Sequence, residues 1–240
     1  MNDKNLDTQV KNYMNFLKKQ PKGFVYKENT EKQEVAKSAT TSTPKEETVS
    51  KSRQEMLDEI KCKFKNCNQC PLAEQGRAQV VFGVGNPFTK IMFVGEGPGR
   101  DEDAQGKPFI GRAGQLLTKI IEAMKLNRDE VYISNVVKCR PPNNRTPLPN
   151  ESDTCKKLIL FKEIEIIKPQ VICALGSTAT QGLLGQDILI SKSRGIFFKF
   201  NDTLVLPTYH PAYLLRNPDA KKIVWEDMKK IMEKLNELNS

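Results

Sequence analysis

Four cysteines and one histidine are the residues of this 240-residue chain best placed to do chemistry. Cys67 and Cys70 form the C-x2-C pair of "CNQC". Cys139 and Cys155 lie sixteen positions apart around "RPPNNRTPLPNESDT", a segment too rich in proline and asparagine for a helix or a central strand. A tight C-x2-C delivers two thiolates to one metal site, and two distant cysteines close a tetrahedral set. Zinc and a cubic iron–sulfur cluster both accept four thiolates, and the spacing leaves the choice open. Cys62 is near in sequence but lacks the spacing, and Cys173, inside "VICALG", reads as core. His210, the one histidine, directly follows an apolar run in "YHPAYLLR", with Pro211 fixing the turn. A lone histidine is often structural, yet one at a strand end faces wherever a ligand would sit.

A third set of groups lies in "VGEGPGRDEDAQGKPFIGRAG". Glycines such as Gly95 and Gly97 allow close backbone approach to a ligand. The stretch is no P-loop, because proline follows its "GK", and it does not match G-x-G-x-x-G. Its carboxylates, Glu96, Asp101, Glu102 and Asp103, suit a magnesium ion or the positioning of a water or base. Phe109 is either a stacking platform or one more core phenylalanine.

The elements that must hold these groups alternate. "KIMFVGEGPG" is an apolar run ending in glycines, as a buried parallel strand entering a loop does. "GRAGQLLTKIIEAMKL" carries Leu116, Leu117, Ile120, Ile121 and Met124 on one helical stripe. "VYISNVVK" is β-branched, and "SDTCKKLILFKEIEIIK" is a helix capped by Ser152 or Asp153 and stopped by Pro169. "QVICALG" is a strand, "STATQGLLG" a short helix capped at Ser177, "DTLVLPTYH" the last strand and "PDAKKIVWEDMKKIMEKLNEL" a closing helix. Strands joined by helical crossovers predict a three-layer α/β/α domain over residues 54–240 around a mostly parallel, four-stranded sheet. Ligands of such sheets bind at the carboxyl ends of the strands, here "GEGPG", "SNVVKC" and "PTYHP".

Residues 1–53 read as an N-terminal extension. Val10, Tyr13, Met14 and Leu17 fall at helical spacing, which suits docking to a protein partner and equally a frayed helix. Residues 27–53 have almost no large apolar side chains and read as a disordered linker. No signal-peptide core and no apolar run long enough to span a bilayer occurs, so a cytoplasmic protein is expected, where clustered thiols more often bind metal than form disulfides. Net charge is +9, and residues 1–53 hold eleven Lys or Arg against seven Asp or Glu, so the excess is spread over both parts. That balance suits a polyanionic partner, most simply nucleic acid.

Together "GEGPG", "GKPFIGRAGQLL", "SNVVKCRPPNNRTP", "ALG" and "HPAYLLR" resemble the family 4, iron–sulfur uracil-DNA glycosylases over roughly residues 58–235. The resemblance implies one structural 4Fe-4S cluster on Cys67, Cys70, Cys139 and Cys155, stapling a loop whose Arg140, Asn143, Asn144 and Arg145 would touch DNA phosphates. It implies a monomer, associated with the nucleoid, that flips uracil out of DNA and hydrolyses its N-glycosidic bond to leave an abasic site, starting base excision repair without a divalent metal. His210 would donate to uracil O2, Asn135 would read the N3–O4 edge, and Phe109 would stack on the base. Glu96 would place the water, with Gly97 standing where many superfamily members carry Asp or Asn. Glu102 would lie near uracil C5, Leu214 would wedge into the DNA stack, and Arg216 would join the DNA contacts. Three rivals remain: a uracil-DNA binder that does not turn over, an electron-transfer iron–sulfur protein, and a segment of a phage-type polymerase. The first is characterised by "GEQPG" and a second histidine, both absent here. The second needs no Asn135, Phe109 and His210 together, and the third needs paired metal-binding carboxylates that residues 101–103 do not supply.

Overall fold

A computed structural model describes residues 51–240. The amphipathic segment expected around Val10–Leu17, and all but the last three residues of the expected linker, lie outside the described residues. Ser52 caps the first described helix, α1 (Arg53–Phe64), by accepting from the Glu55 amide while the Glu55 carboxylate accepts from the Ser52 amide. That reciprocal cap starts the helix just before the boundary read from composition.

The sheet has six strands in the order β1-β3-β2-β4-β6-β5. Four of them, β2 (Ile91–Gly95), β3 (Tyr132–Asn135), β4 (Val171–Leu175) and β6 (Thr203–Thr208), run parallel and are the four expected. Two antiparallel edge strands were not anticipated: β1 (Val84–Gly85) and β5 (Phe198–Phe200). Two or three residues are too few to show a period.

Successive residues of β2 face opposite layers. Met92 and Val94 pack with Leu57, Ile60 and Ile164 on one side; Ile91 and Phe93 pack with Leu117, Ile121, Val224 and Met228 on the other. The first layer therefore contains α1 and α5 (Phe161–Ile167). The second contains α3 (Arg112–Ala123) and α9 (Ala220–Glu237). Both faces of the parallel strands are covered, which is why their sequences are apolar throughout rather than alternating. Cys173 is fully buried in the second layer, a core residue as expected.

Two helix starts differ from expectation. The helix through Cys155 begins as α4 (Pro149–Cys155), with Pro149 in its first turn and Glu151 bonding back to the Leu148 amide, so neither Ser152 nor Asp153 caps it. A π turn at Lys156–Leu160 then leads into α5. Helix α6 (Gly176–Leu184) starts at the end of β4 without a Ser177 cap. The connections between sheet and site are completed by α2 (Arg100–Gln105), α7 (Ile190–Ser193) and α8 (Pro211–Arg216).

Candidate active site

A cavity of about 300 Å³ opens at the carboxyl ends of the parallel strands. Its wall includes Glu96, Gly97, Glu102, Phe109, Pro141 and His210. The expected catalytic and stacking groups are thus brought together, although they are spread over more than a hundred positions of sequence.

Phe109 holds a left-handed backbone (φ 52°) and is 5% exposed. That conformation is costly for a bulky residue and persists only where its surroundings impose it. Two features do so. Glu102 accepts from the amides of Ile110 and Gly111, both at 2.9 Å, and of Gly99 at 3.1 Å, tying the loop to the start of α2. Gly114 lets α3 lie against the Phe109 backbone; a methyl group there would stand 2.6 Å from Phe109 Cα and closer to its carbonyl. The Phe109 ring lies 5.5 Å from the His210 ring, tilted by 33°.

Asn135 ends β3 and is 2% exposed; it is not part of the cavity wall. Its Oδ1 is buried without a hydrogen-bond partner. An unpaired buried carboxamide oxygen is expensive, so it marks a place where a ligand donor belongs. A side chain on Gly95 would stand 2.5 Å from that oxygen and 2.6 Å from Phe109 Cε2. Glycine is therefore what allows the carboxamide and the aromatic edge to meet over β2. A side chain on Gly97 would strike Val137 Cγ2 at 2.7 Å.

His210 caps α8, its Nδ1 accepting from the Ala212 amide at 3.1 Å. A ring nitrogen that accepts carries no proton, so in the neutral ring the proton is on Nε2. Burial, and then the Arg216 guanidinium, lower the imidazole pKa to about 4, with Glu102 opposing them. At neutral pH the group is an uncharged Nε2–H donor on the cavity wall. Gly176, with φ +87°, passes beside it; a Cβ there would be 3.0 Å from His210 Cβ.

Glu96 accepts from the Thr178 hydroxyl of α6. The remaining acids do not gather around an ion. Asp103, 4% exposed, accepts from the Ala78 amide at 2.9 Å, and Asp101 lies on the surface. The magnesium alternative therefore loses its cluster.

The four expected DNA contacts are placed differently. Leu214 is 1% exposed inside the second core layer and cannot wedge into anything, because it is the inward residue of α8. Tyr213 and Leu215, 39% and 38% exposed, flank it on the outside. Arg145 spends its fork on the protein itself: within the loop on Glu151 at 2.8 and 2.7 Å and the Thr146 carbonyl at 3.1 Å, and outside it on Gln75 at 3.0 Å. Arg145 holds the carboxyl of the fully buried Glu151 below its usual range. Among the described residues Arg140 donates only through Nε, to Asn144 Oδ1 at 2.8 Å, and Arg216 is exposed.

None of the four cysteines is in a disulfide; Cys139 and Cys155 belong to one core cluster, and Cys67 and Cys70 pack against it. They are near enough to repel as thiolates: Cys67 acts on Cys70, and both act on Cys139. Burial raises Cys155 to about 12 despite the Lys138 charge. Arg77 donates to Cys139 Sγ at 2.7 Å and the Lys138 amide donates to Cys155 Sγ at 3.2 Å. Among the described residues no three His, Cys, Asp or Glu are drawn close enough to hold one metal ion.

Several residues of this region went unnoticed in the sequence. Lys138 and Glu163, 0% and 2% exposed, form an ion pair at 2.8 Å beneath Asn135. Asp227 of α9, fully buried, accepts from Thr208 Oγ1 at 2.7 Å and from Arg194. The one available signal was a lysine inside the apolar run "NVVKC", since a lysine buried there must find a partner.

The fold and site define a three-layer α/β protein with a cavity of about 300 Å³ at the carboxyl ends of its parallel strands. The chain belongs to the uracil DNA glycosylase superfamily, whose family model matches residues 82–229. It is 48% identical over 183 residues to the type-4 uracil-DNA glycosylase of Thermotoga maritima, covering 75% of this chain and 94% of that protein. The type-4 enzymes of Sulfurisphaera tokodaii and Saccharolobus solfataricus are 46% and 43% identical, over 74% and 75% of this chain and 84% and 87% of their own lengths. No described helix is long and apolar enough to cross a membrane.

Proposed function

We propose that this protein is a monofunctional uracil-DNA glycosylase of the type-4 group, acting as a monomer on uracil-containing DNA in the cytoplasm, at the nucleoid. The observation that carries the reading is the Phe109 ring and the neutral His210 donor on the wall of one strand-end cavity, with the unpaired Asn135 oxygen meeting the Phe109 edge over Gly95.

A uracil flipped into the cavity stacks on Phe109. Asn135 Oδ1 accepts from uracil N3–H and its amide nitrogen donates to O4; cytosine, with a bare N3 and an amino group at C4, reverses both demands. His210 Nε2–H donates to O2. As the C1′–N1 bond lengthens, the bonding pair goes to uracil and negative charge collects partly on O2, so this bond strengthens in the transition state. Glu96, steadied by Thr178, positions the water that adds to C1′. The water leaves its hydroxyl on the sugar, and its proton passes to solvent or to the uracil anion. Glu102, with its oxygens engaged by three backbone amides, positions Phe109 and crowds the space at uracil C5. Arg140 and Arg216 are the phosphate contacts, and Tyr213 or Leu215 replaces Leu214 as the residue entering the DNA stack.

The donor set of four thiols, with N–H donors from Arg77 and Lys138 on two sulfurs, fits a structural 4Fe-4S cluster on Cys67, Cys70, Cys139 and Cys155. When bound, the group supplies a cross-link that fixes the loop between Cys139 and Cys155. The N-terminal extension is proposed as the place where a protein partner would dock.

The test is a labelled duplex with a single uracil, incubated in EDTA and then treated with alkali. Breakage confined to the uracil strand, and strongly reduced in His210→Ala, is expected. A tight complex without breakage would favour the non-turnover binder.

A further inference from the structure

Lys138 is fully buried, and none of the steps above uses it. Its ammonium donates to Glu163 Oε2 and to the Asn135 carbonyl, each at 2.8 Å, and to Ser134 Oγ. Those three acceptors match its three N–H groups. Glu163 also receives the Ser134 hydroxyl at 2.7 Å and the Gly83 amide at 3.1 Å. A buried ion pair whose hydrogen-bonding positions are filled adds little net stability, because desolvation offsets attraction, but it fixes geometry.

The geometry it fixes joins two sites. The Lys138 side chain holds the carbonyl of Asn135, while its own amide holds Cys155 Sγ. Glu163 lies on the helical stretch that carries Cys155. Eight positions apart on a regular α-helix, two side chains diverge by about 80°. The π turn between them winds the chain more slowly and narrows that gap, so Cys155 and Glu163 both face inward, at 7% and 2% exposure. Laterally, Val136 and Val137 hold the same segment to β2 through the Gly95 and Glu96 carbonyls at 2.9 and 3.1 Å. The Lys138 ammonium is the tether to the cysteine side.

We infer that Lys138 and Glu163 are positioning residues that set Asn135 in the base pocket and make its placement depend on the cysteine site. The inference rests on the glycosylase reading. Lys138→Met alone would strand a buried carboxylate and could unfold the chain, so the test is the double variant Lys138→Met/Glu163→Gln, which removes both charges. Iron-loaded, full-length native and double-variant proteins are compared in visible absorbance, in affinity for a duplex containing an abasic analogue, and in single-turnover uracil excision. Absorbance and abasic affinity should stay at native values while excision falls by about 10- to 100-fold, the range seen when a ligand's orienting partner is removed. Native excision by the double variant would overturn the inference. Loss of abasic affinity in step with excision would also overturn it, since that marks a general defect. Native protein that binds DNA but excises nothing would instead sink the glycosylase reading. Affinity for uracil-containing DNA would then decide the role of the pair, and equal affinities in the two proteins would reject it.

Discussion

His210 makes the glycosylase geometry quantitative. Folded, its imidazole has a pKa of about 4, below the ordinary histidine value of 6.5, first through burial and then through Arg216. Between those two pH values the unfolded chain takes up a proton that the folded chain refuses, so stability rises with pH across the window. The contribution is complete above about pH 6.5 and is lost as pH falls towards 4. A gap of roughly two and a half pH units, at about 1.4 kcal/mol each, corresponds to about 3 kcal/mol. The perturbation is His210→Asn, which can still cap α8 but does not titrate. Urea unfolding of native and variant protein from pH 4 to 8 should give a stability difference that climbs by about 3 kcal/mol over the acid window and is level above it. Single-turnover excision by native protein should stay level from pH 8 to about 5 and drop only near 4. A flat difference curve, or an acid limb centred near 6.5, would refute the buried imidazole with its lowered pKa.

Gly114→Ala should cost about 3 kcal/mol and abolish turnover, because the added methyl group meets Phe109 backbone that cannot yield; melting and excision together check it. Leu214→Ala should destabilise by about 2–5 kcal/mol, whereas Leu215→Ala should leave stability nearly unchanged and slow excision from duplex more than from single-stranded DNA. Arg145→Ala should lower the melting temperature and hasten loss of bound iron while leaving the salt slope of DNA affinity as it is. Arg216→Ala should shallow that slope by about one phosphate contact, measured by titration at several salt concentrations.

The four parallel strands and their helices were legible because full burial writes long apolar runs. Strand ends marked by Gly95, Asn135 and His210 then pointed at the pocket. What escaped notice depended on direction and partnership. Leu214 and Leu215 are neighbours of the same type, and only the packing of α8 against α3 decides which one faces out. Arg145 reads as a free cation until Glu151 is seen beneath it. Lys138 and Glu163 are twenty-five positions apart, and no period connects them. Glu102 had the right location, but its bonds to the amides of residues 99, 110 and 111 are a matter of loop closure that spacing does not encode.

On the proposed reading, Asn135 of β3 and His210, just beyond β6, must meet neighbouring polar atoms of one small ring, although β2 and β4 lie between them in the sheet. The hydrogen-bond ladder fixes strands along their length but stops at their ends, where the functional groups sit. Each end is instead held from beneath by a buried carboxylate, and the two come from opposite layers. Glu163 of α5 reaches Ser134 and Lys138 under Asn135, and Asp227 of α9 reaches Thr208, two residues before His210. Charge-assisted bonds are short and directional, which suits an anchor better than a further apolar contact would. An error of about 1 Å between the two reading groups can cost on the order of a hundredfold in rate. Two buried anions that contribute little to net stability are therefore consistent with selection on the distance between Asn135 and His210 rather than on the strength of the fold.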